Sequence, residues 1–242
     1  MKNDNKPEYT GINNIGSFSY KPRVSFALAQ VCGAEIISRH ALARSFANET
    51  LPGLLTQIAT INQAYRPLKT SYTIPAQQLM DDSVLRRILL AAKSGLIHNG
   101  QLELLLSDIS SVVNQAELAS RLQRLANTNI GIIMSDFGTA FSSMDLLTQL
   151  PFTGLMLNEQ LVQQLGSTQK GYFIAEAAIR MGRNMGLTIM ADGARTTTEF
   201  GTLVRLGCEQ VQGDWISPPL SLGNYLDFVR HDSRWGALEE AA

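Results

Sequence analysis

Residues 131–158 read GIIMSDFGTAFSSMDLLTQLPFTGLMLN. The apolar runs at 131–134 and 154–157 are too short for helices, and they carry no polar residue. Strands covered on both faces have that pattern. Between them a polar, glycine-containing stretch leads into Ser142 and Ser143, which read as a helix start, because a serine hydroxyl can accept from a free N–H of the first turn. Strand, crossover, strand is the repeating unit of a parallel sheet. The unit recurs outward in both directions. Strand-like runs fall at 24–28, 31–37, 70–74, 102–106, 187–191 and 209–212. Helical spacing of apolar residues fills 51–64, 79–92, 116–126, 172–185, 197–206 and 222–229. Eight strands with helical crossovers predict an α/β barrel closed on itself.

Composition agrees with a globular α/β chain. The sequence has 242 residues, of which 45% are apolar and 17% charged. That excludes a disordered or fibrous chain. Lys plus Arg total 20 against 21 for Asp plus Glu, a net charge of -1, so no broad basic field exists to hold a nucleic-acid backbone. Two distant cysteines, Cys32 and Cys208, read as buried thiols of a reducing compartment. No apolar run approaches a membrane span, and the first residues lack the apolar core of a signal peptide. The expectation is a cytoplasmic protein with no membrane contact. Residues 1–16 are expected to be a mobile tail, 17–232 one domain, and 233–242 a C-terminal tail containing Trp235. His40, His98 and His231 share no metal-ligand spacing.

In such a barrel the chemistry sits at the C-terminal strand ends. Here those ends read GAEIISR (33–39), SYTIP (71–75), LLLSD (104–108), MSDFGTAFSS (134–143), LMLN (155–158), MADGAR (190–195) and VQGDW (211–215). This series resembles the EAL domain family, the cyclic di-GMP phosphodiesterases and their inactive relatives. SDFGTAFSSMDLLTQLP (135–151) is similar to the family's DDFGTGYSSLxxLxxLP, and LVRLGCEQVQGDWISPPL (203–220) to its LxxLGxxxxQGYxxxxPL. YKPRVSFALAQVCGAEIISR (20–39) aligns on its first motif. The resemblance implies a TIM-like barrel of the EAL type with one strand running against the rest. The span between Arg39 and Thr73 looks short by about a helix, so one barrel helix is expected to be missing or shortened, exposing apolar wall.

The resemblance also implies what the site positions should hold. Active relatives bind two divalent cations, which need hard oxygen ligands. The Glu of the signature is Glu35. The following Asn is replaced by Thr73, a metal-binding Glu by Leu105, and the first Asp of DDFG by Ser135, while the second is kept as Asp136. The Lys of LKID falls on Met156 and its Asp on Asn158. The two acids of EGVE become Asp192 and Arg195. The Gln of QGY is Gln212 and its Tyr Asp214, and the Gln of the first strand is Lys21. Arg195 is expected to pair with Asp192. Leu105 and Met156 are expected to extend the core and close the mouth.

The resulting expectation is a degenerate, non-catalytic EAL protein with no metal and no cofactor. It would act through a regulatory protein partner, such as a transcription regulator of motility, biofilm or virulence genes, as small standalone EAL-like regulators do. The alternative is a receptor that holds cyclic di-GMP without cleaving it, with Glu35, Arg39, Asp136, Asp192 and Gln212 as contacts. A residual phosphodiesterase using Glu35, Asp108, Asp136 and Asp192 is the third reading. A homodimer through the region 142–162 is also expected.

Overall fold

The six residues of Leu102–Ser107 show how the barrel is built. Their side chains alternate between two environments, as a period of two requires. Leu102, Leu104 and Leu106 face outward into the main core beneath the helices, whereas Leu105 belongs to a separate buried cluster inside the barrel. The computed structural model describes residues 18–38, 46–65, 67–137 and 144–231. Both tails, Arg39, His40, Ser142, Ser143 and Trp235 lie outside them.

The strands are β1 (Phe18–Ser25), β2 (Gln30–Ser38), β3 (Lys69–Pro75), β4 (Leu102–Ser107), β5 (Gly131–Phe137), β6 (Gly154–Leu157), β7 (Thr188–Ala191) and β8 (Gln210–Gln212). They close in sequential order. β1 is antiparallel to both its neighbours, and every other pairing is parallel. The connection between β1 and β2 explains this orientation: a turn of a few residues permits only a hairpin. The strand expected at 24–28 is therefore shifted. Residues 26–29 reverse the chain, Ala29 donates to the Phe26 carbonyl at 3.2 Å, and Ala29 adopts a left-handed φ of 46°.

The helices are α1 (Leu51–Ala64), α2 (Asp82–Lys93), α3 (Gln115–Ala126), α4 (Met144–Gln149), α5 (Glu159–Gln163), α6 (Gln169–Asn184), α7 (Thr197–Leu206) and α8 (Leu222–Arg230). All six expected helices are present. α4 and α5 are too short to show a helical period in sequence. Side-chain caps fix several starts: Asp81 on α2, Asn114 on α3, Thr168 on α6, and a capping box of Thr196 with Glu199 on α7.

The span between Arg39 and Thr73 holds the helix expected at 51–64: a π-helical turn (Phe46–Thr50) leads into the 14-residue α1. Leu51, Leu54, Ile58 and Ile61, spaced three and four apart, are buried against the barrel. Gly53 permits the close approach, since a Cβ there would lie 2.8 Å from the Phe18 ring. Tyr20 then donates to Gln57 at 2.6 Å. Residues 39–45 of the span lie outside the described residues. Cys208 is buried as expected, while Cys32 is only half-buried. Among the described residues no helix is long and apolar enough to cross a membrane.

Candidate functional site at the barrel mouth

Three groups of side chains occupy the barrel interior. Toward the N-terminal strand ends, the Arg23 guanidinium is fully buried. It donates to Glu103, to Ser71 Oγ at 2.8 Å and to Met190 Sδ at 3.3 Å. Lys69 donates to the other Glu103 oxygen at 2.8 Å. Burial alone would raise the Glu103 pKa, but Arg23 and Lys69 overcome it and hold the carboxyl at about 2.

The middle of the barrel, on its β4–β7 side, is apolar. Leu105, Ile133, Met156 and Met190 pack as one buried cluster, each 4% exposed or less. Gly154 helps to fit them, because a Cβ there would stand 2.7 Å from Ile133 Cδ1. Leu105 and Met156 therefore fill the barrel as expected.

Among the described side chains, the polar part of the mouth lies on β1, β2, β3, β7 and β8. Lys21 stands opposite Glu35 in the β1–β2 hairpin. Its Nζ donates to Asp192 Oδ1 at 2.9 Å and Oδ2 at 3.1 Å. Thr73 Oγ1 donates to Glu35 Oε1 at 2.7 Å, and Gln212 Nε2 to Glu35 Oε2 at 2.5 Å. Burial, then the neighbouring Asp192 charge, push the Glu35 carboxyl above its usual range. Burial would lower the Lys21 ammonium, but Asp192, Glu35 and Glu159 more than offset it and raise its pKa. Gln212 is set by the next residue: Gly213 has φ 147°, and a Cβ there would lie 2.4 Å from the Ala194 amide nitrogen.

Three of the five candidate residues, Glu35, Asp192 and Gln212, thus meet at the mouth. Asp136 lies in β5, but its side chain, like Arg39 as a whole, is outside the described residues. The expected pair between Arg195 and Asp192 does not form. Arg195 binds Glu159 instead, and Lys21 takes Asp192. Asn158 caps α5, accepting from the Leu161 amide at 2.9 Å. The Ser135 hydroxyl donates to the Leu106 carbonyl at 2.6 Å. Asp108 holds a left-handed φ of 51° at the end of β4.

The described residues do not fit a pair of divalent cations. The position matched to a metal-binding Glu holds the buried Leu105, whose alkyl group offers no hard oxygen. No three Asp, Glu, His or Cys side chains gather into a possible metal-holding group among the described residues.

The comparisons with known proteins bear on this geometry. The EAL domain model matches residues 33–219. This chain belongs to the EAL domain family. A cyclic di-GMP phosphodiesterase of Pseudomonas aeruginosa is 27% identical over 195 residues, which cover 81% of this chain and 33% of that protein. The chain thus spans about a third of that relative's length. The EAL domain of DcpA from Mycobacterium smegmatis superposes with a TM-score of 0.79 at 24% identity, covering 88% of this chain and 95% of that one. The MucR phosphodiesterase of P. aeruginosa, solved with cyclic di-GMP, gives 0.72 at 20% identity, over 86% and 93%. These likenesses establish the EAL-type, TIM-like barrel.

Sequence reasoning missed the Lys21–Asp192 and Arg23–Glu103 pairs. Equal counting from the turn would set Lys21 opposite Ala34; a bulge between Arg23 and Val24 shifts the register by one and brings Lys21 opposite Glu35, so no local pattern carried the pairing.

Proposed function

We propose that this EAL domain does not hydrolyse cyclic di-GMP and acts as a regulatory module that binds another protein. The names of its relatives point toward phosphodiesterase activity. The observation that carries the opposite reading is the apolar cluster of Leu105, Ile133, Met156 and Met190. Two-metal phosphodiester cleavage needs carboxylates and a transition-state cation, and two of the matched positions are filled by alkyl and thioether groups. The outer face of α6 supports a protein partner. Phe173, Ile174 and Met185 are exposed there, with Lys170 and Arg180 beside them against one acid, Glu176. Such a face suits a partner with an apolar ridge and acidic flanks. A transcription regulator is the partner class that the sequence resemblance to inactive EAL-like regulators suggests.

The test is incubation of the full chain with cyclic di-GMP and Mg²⁺ or Mn²⁺, followed by chromatography. The nucleotide is expected to remain intact. Release of the linear dinucleotide, abolished by Glu35→Ala, would overturn the proposal. A second reading, retention of cyclic di-GMP without cleavage, is favoured by Glu35 and Gln212, two positions matched to the family that keep their residues and bond to each other at the mouth. Calorimetric titration with the nucleotide separates the two. Heat that disappears in Lys21→Ala would make the mouth a receptor site.

A further inference from the structure

We propose that the Lys21 ammonium is the resident cation of the barrel mouth and stands in for a divalent ion between its acidic strand ends. Two carboxylates, Glu35 and Asp192, approach one another here, and like charges brought together from distant strands need a compensating charge. Lys21 supplies it from β1. It is held opposite Glu35 by the hairpin register and bound to both oxygens of Asp192 at 2.9 and 3.1 Å.

The donor count makes the substitution complete. Glu35 Oε1 accepts from Thr73 and Oε2 from Gln212, at 2.7 and 2.5 Å. All four carboxylate oxygens therefore already accept an N–H or O–H of the protein. An incoming Mg²⁺ or Mn²⁺ would have to share these oxygens with their donors while standing beside an ammonium. It would find no further hard ligand from Leu105 or Met156. The ion pair is also partly screened from water, with the two side chains 18% and 22% exposed. Among the described residues, both mouth carboxylates are thus held by donors of the chain itself.

The test is Mn²⁺ titration of the full chain by electron paramagnetic resonance, with thermal melts in EDTA and in Mn²⁺. The wild-type protein is expected to leave the free-Mn²⁺ signal at its buffer value, and its melting temperature is expected to be the same within about 1 °C in both media. Lys21→Gln removes the charge and keeps a polar side chain. It is expected to melt lower in EDTA, to take up Mn²⁺, and to recover part of the loss when Mn²⁺ is added. Lys21→Arg keeps the charge and is expected to behave as wild type. Mn²⁺ uptake by the wild-type chain that Asp192→Asn abolishes would overturn the proposal. So would a Lys21→Gln variant indistinguishable from wild type in both readouts. The wild-type arm holds even if the variant does not fold. Metal uptake rather than nucleotide cleavage is read, so the outcome stands apart from the hydrolysis assay.

Discussion

Glu103→Ala is expected to lower the unfolding free energy by about 3–5 kcal/mol, the cost of leaving a buried charge without its partner. Arg23 is the largest fully buried side chain of the barrel, and Glu103 is its counter-charge. Without the carboxylate, Ser71 and the Met190 sulfur are the neutral partners that Arg23 keeps in this cluster. Lys69 differs: its side chain is 44% exposed and can turn to water once Glu103 is gone. A typical domain has only about 5–15 kcal/mol in total, so the variant should unfold well before wild type in urea. The pair also sets an acid limit. Glu103 has a folded pKa of about 2, below its ordinary value of about 4.3. Its contribution is therefore fully present above the ordinary value and is lost as pH falls through about 2. Glu35 works the other way: its raised pKa means that its share of stability improves as it protonates. Urea midpoints measured at pH 3 and pH 7 should show wild type losing more than Glu103→Ala on acidification. Adding Arg23→Met to Glu103→Ala should recover part of the loss, because the orphaned charge leaves with its partner. A single variant as stable as wild type would show that Arg23 finds another counter-charge.

The sequence made the barrel legible because its strands are near-continuous apolar runs and its longer helices keep a three-and-four spacing. Those patterns follow from burial alone, which is local. Shift and omission occurred where local pattern was weak. β1 carries Lys21, Pro22 and Arg23 in sequence, which hides a strand whose interior side is charged. α4 and α5 are shorter than two turns and are fixed by their place in the barrel, as with the Asn158 cap of α5. Before Thr73, LPGLLTQIATINQA has the spacing of a complete helix and forms it. At the site, residue types could be read but partners could not. Arg195 lies three residues from Asp192 in sequence, yet its guanidinium reaches Glu159, while Asp192 takes a lysine from the opposite end of the chain. Charge pairing between distant strands depends on barrel closure, which no local window contains.

Leu105→Glu would return a carboxylate to the position where the family carries a metal-binding acid, and it is expected to damage the protein rather than repair it. Leu105 is 1% exposed and packs with Ile133, Met156 and Met190. The change removes an apolar side chain whose burial contributes about 1.5–3 kcal/mol. It also places a carboxylate among groups that cannot donate to it. Together these should cost about 3–5 kcal/mol at neutral pH. The sign of the pH dependence identifies the cause. A carboxyl in this cluster has its folded pKa raised above about 4.3, so its ionisation penalty is absent below that value and grows as pH rises through neutrality. The deficit against wild type, read from urea unfolding, should therefore be smaller at pH 5 than at pH 7.5. Mn²⁺ should not reduce it, because Met156 still offers no oxygen and Lys21 still holds Asp192. If Mn²⁺ did restore the stability of this variant, a single missing ligand would separate the mouth from a metal site. The expected failure means instead that the apolar cluster and the lysine clamp are two independent barriers. On the proposed non-catalytic reading, a metal-assisted chemistry at this mouth would require removing both, and the intermediate with only one removed is the less stable protein.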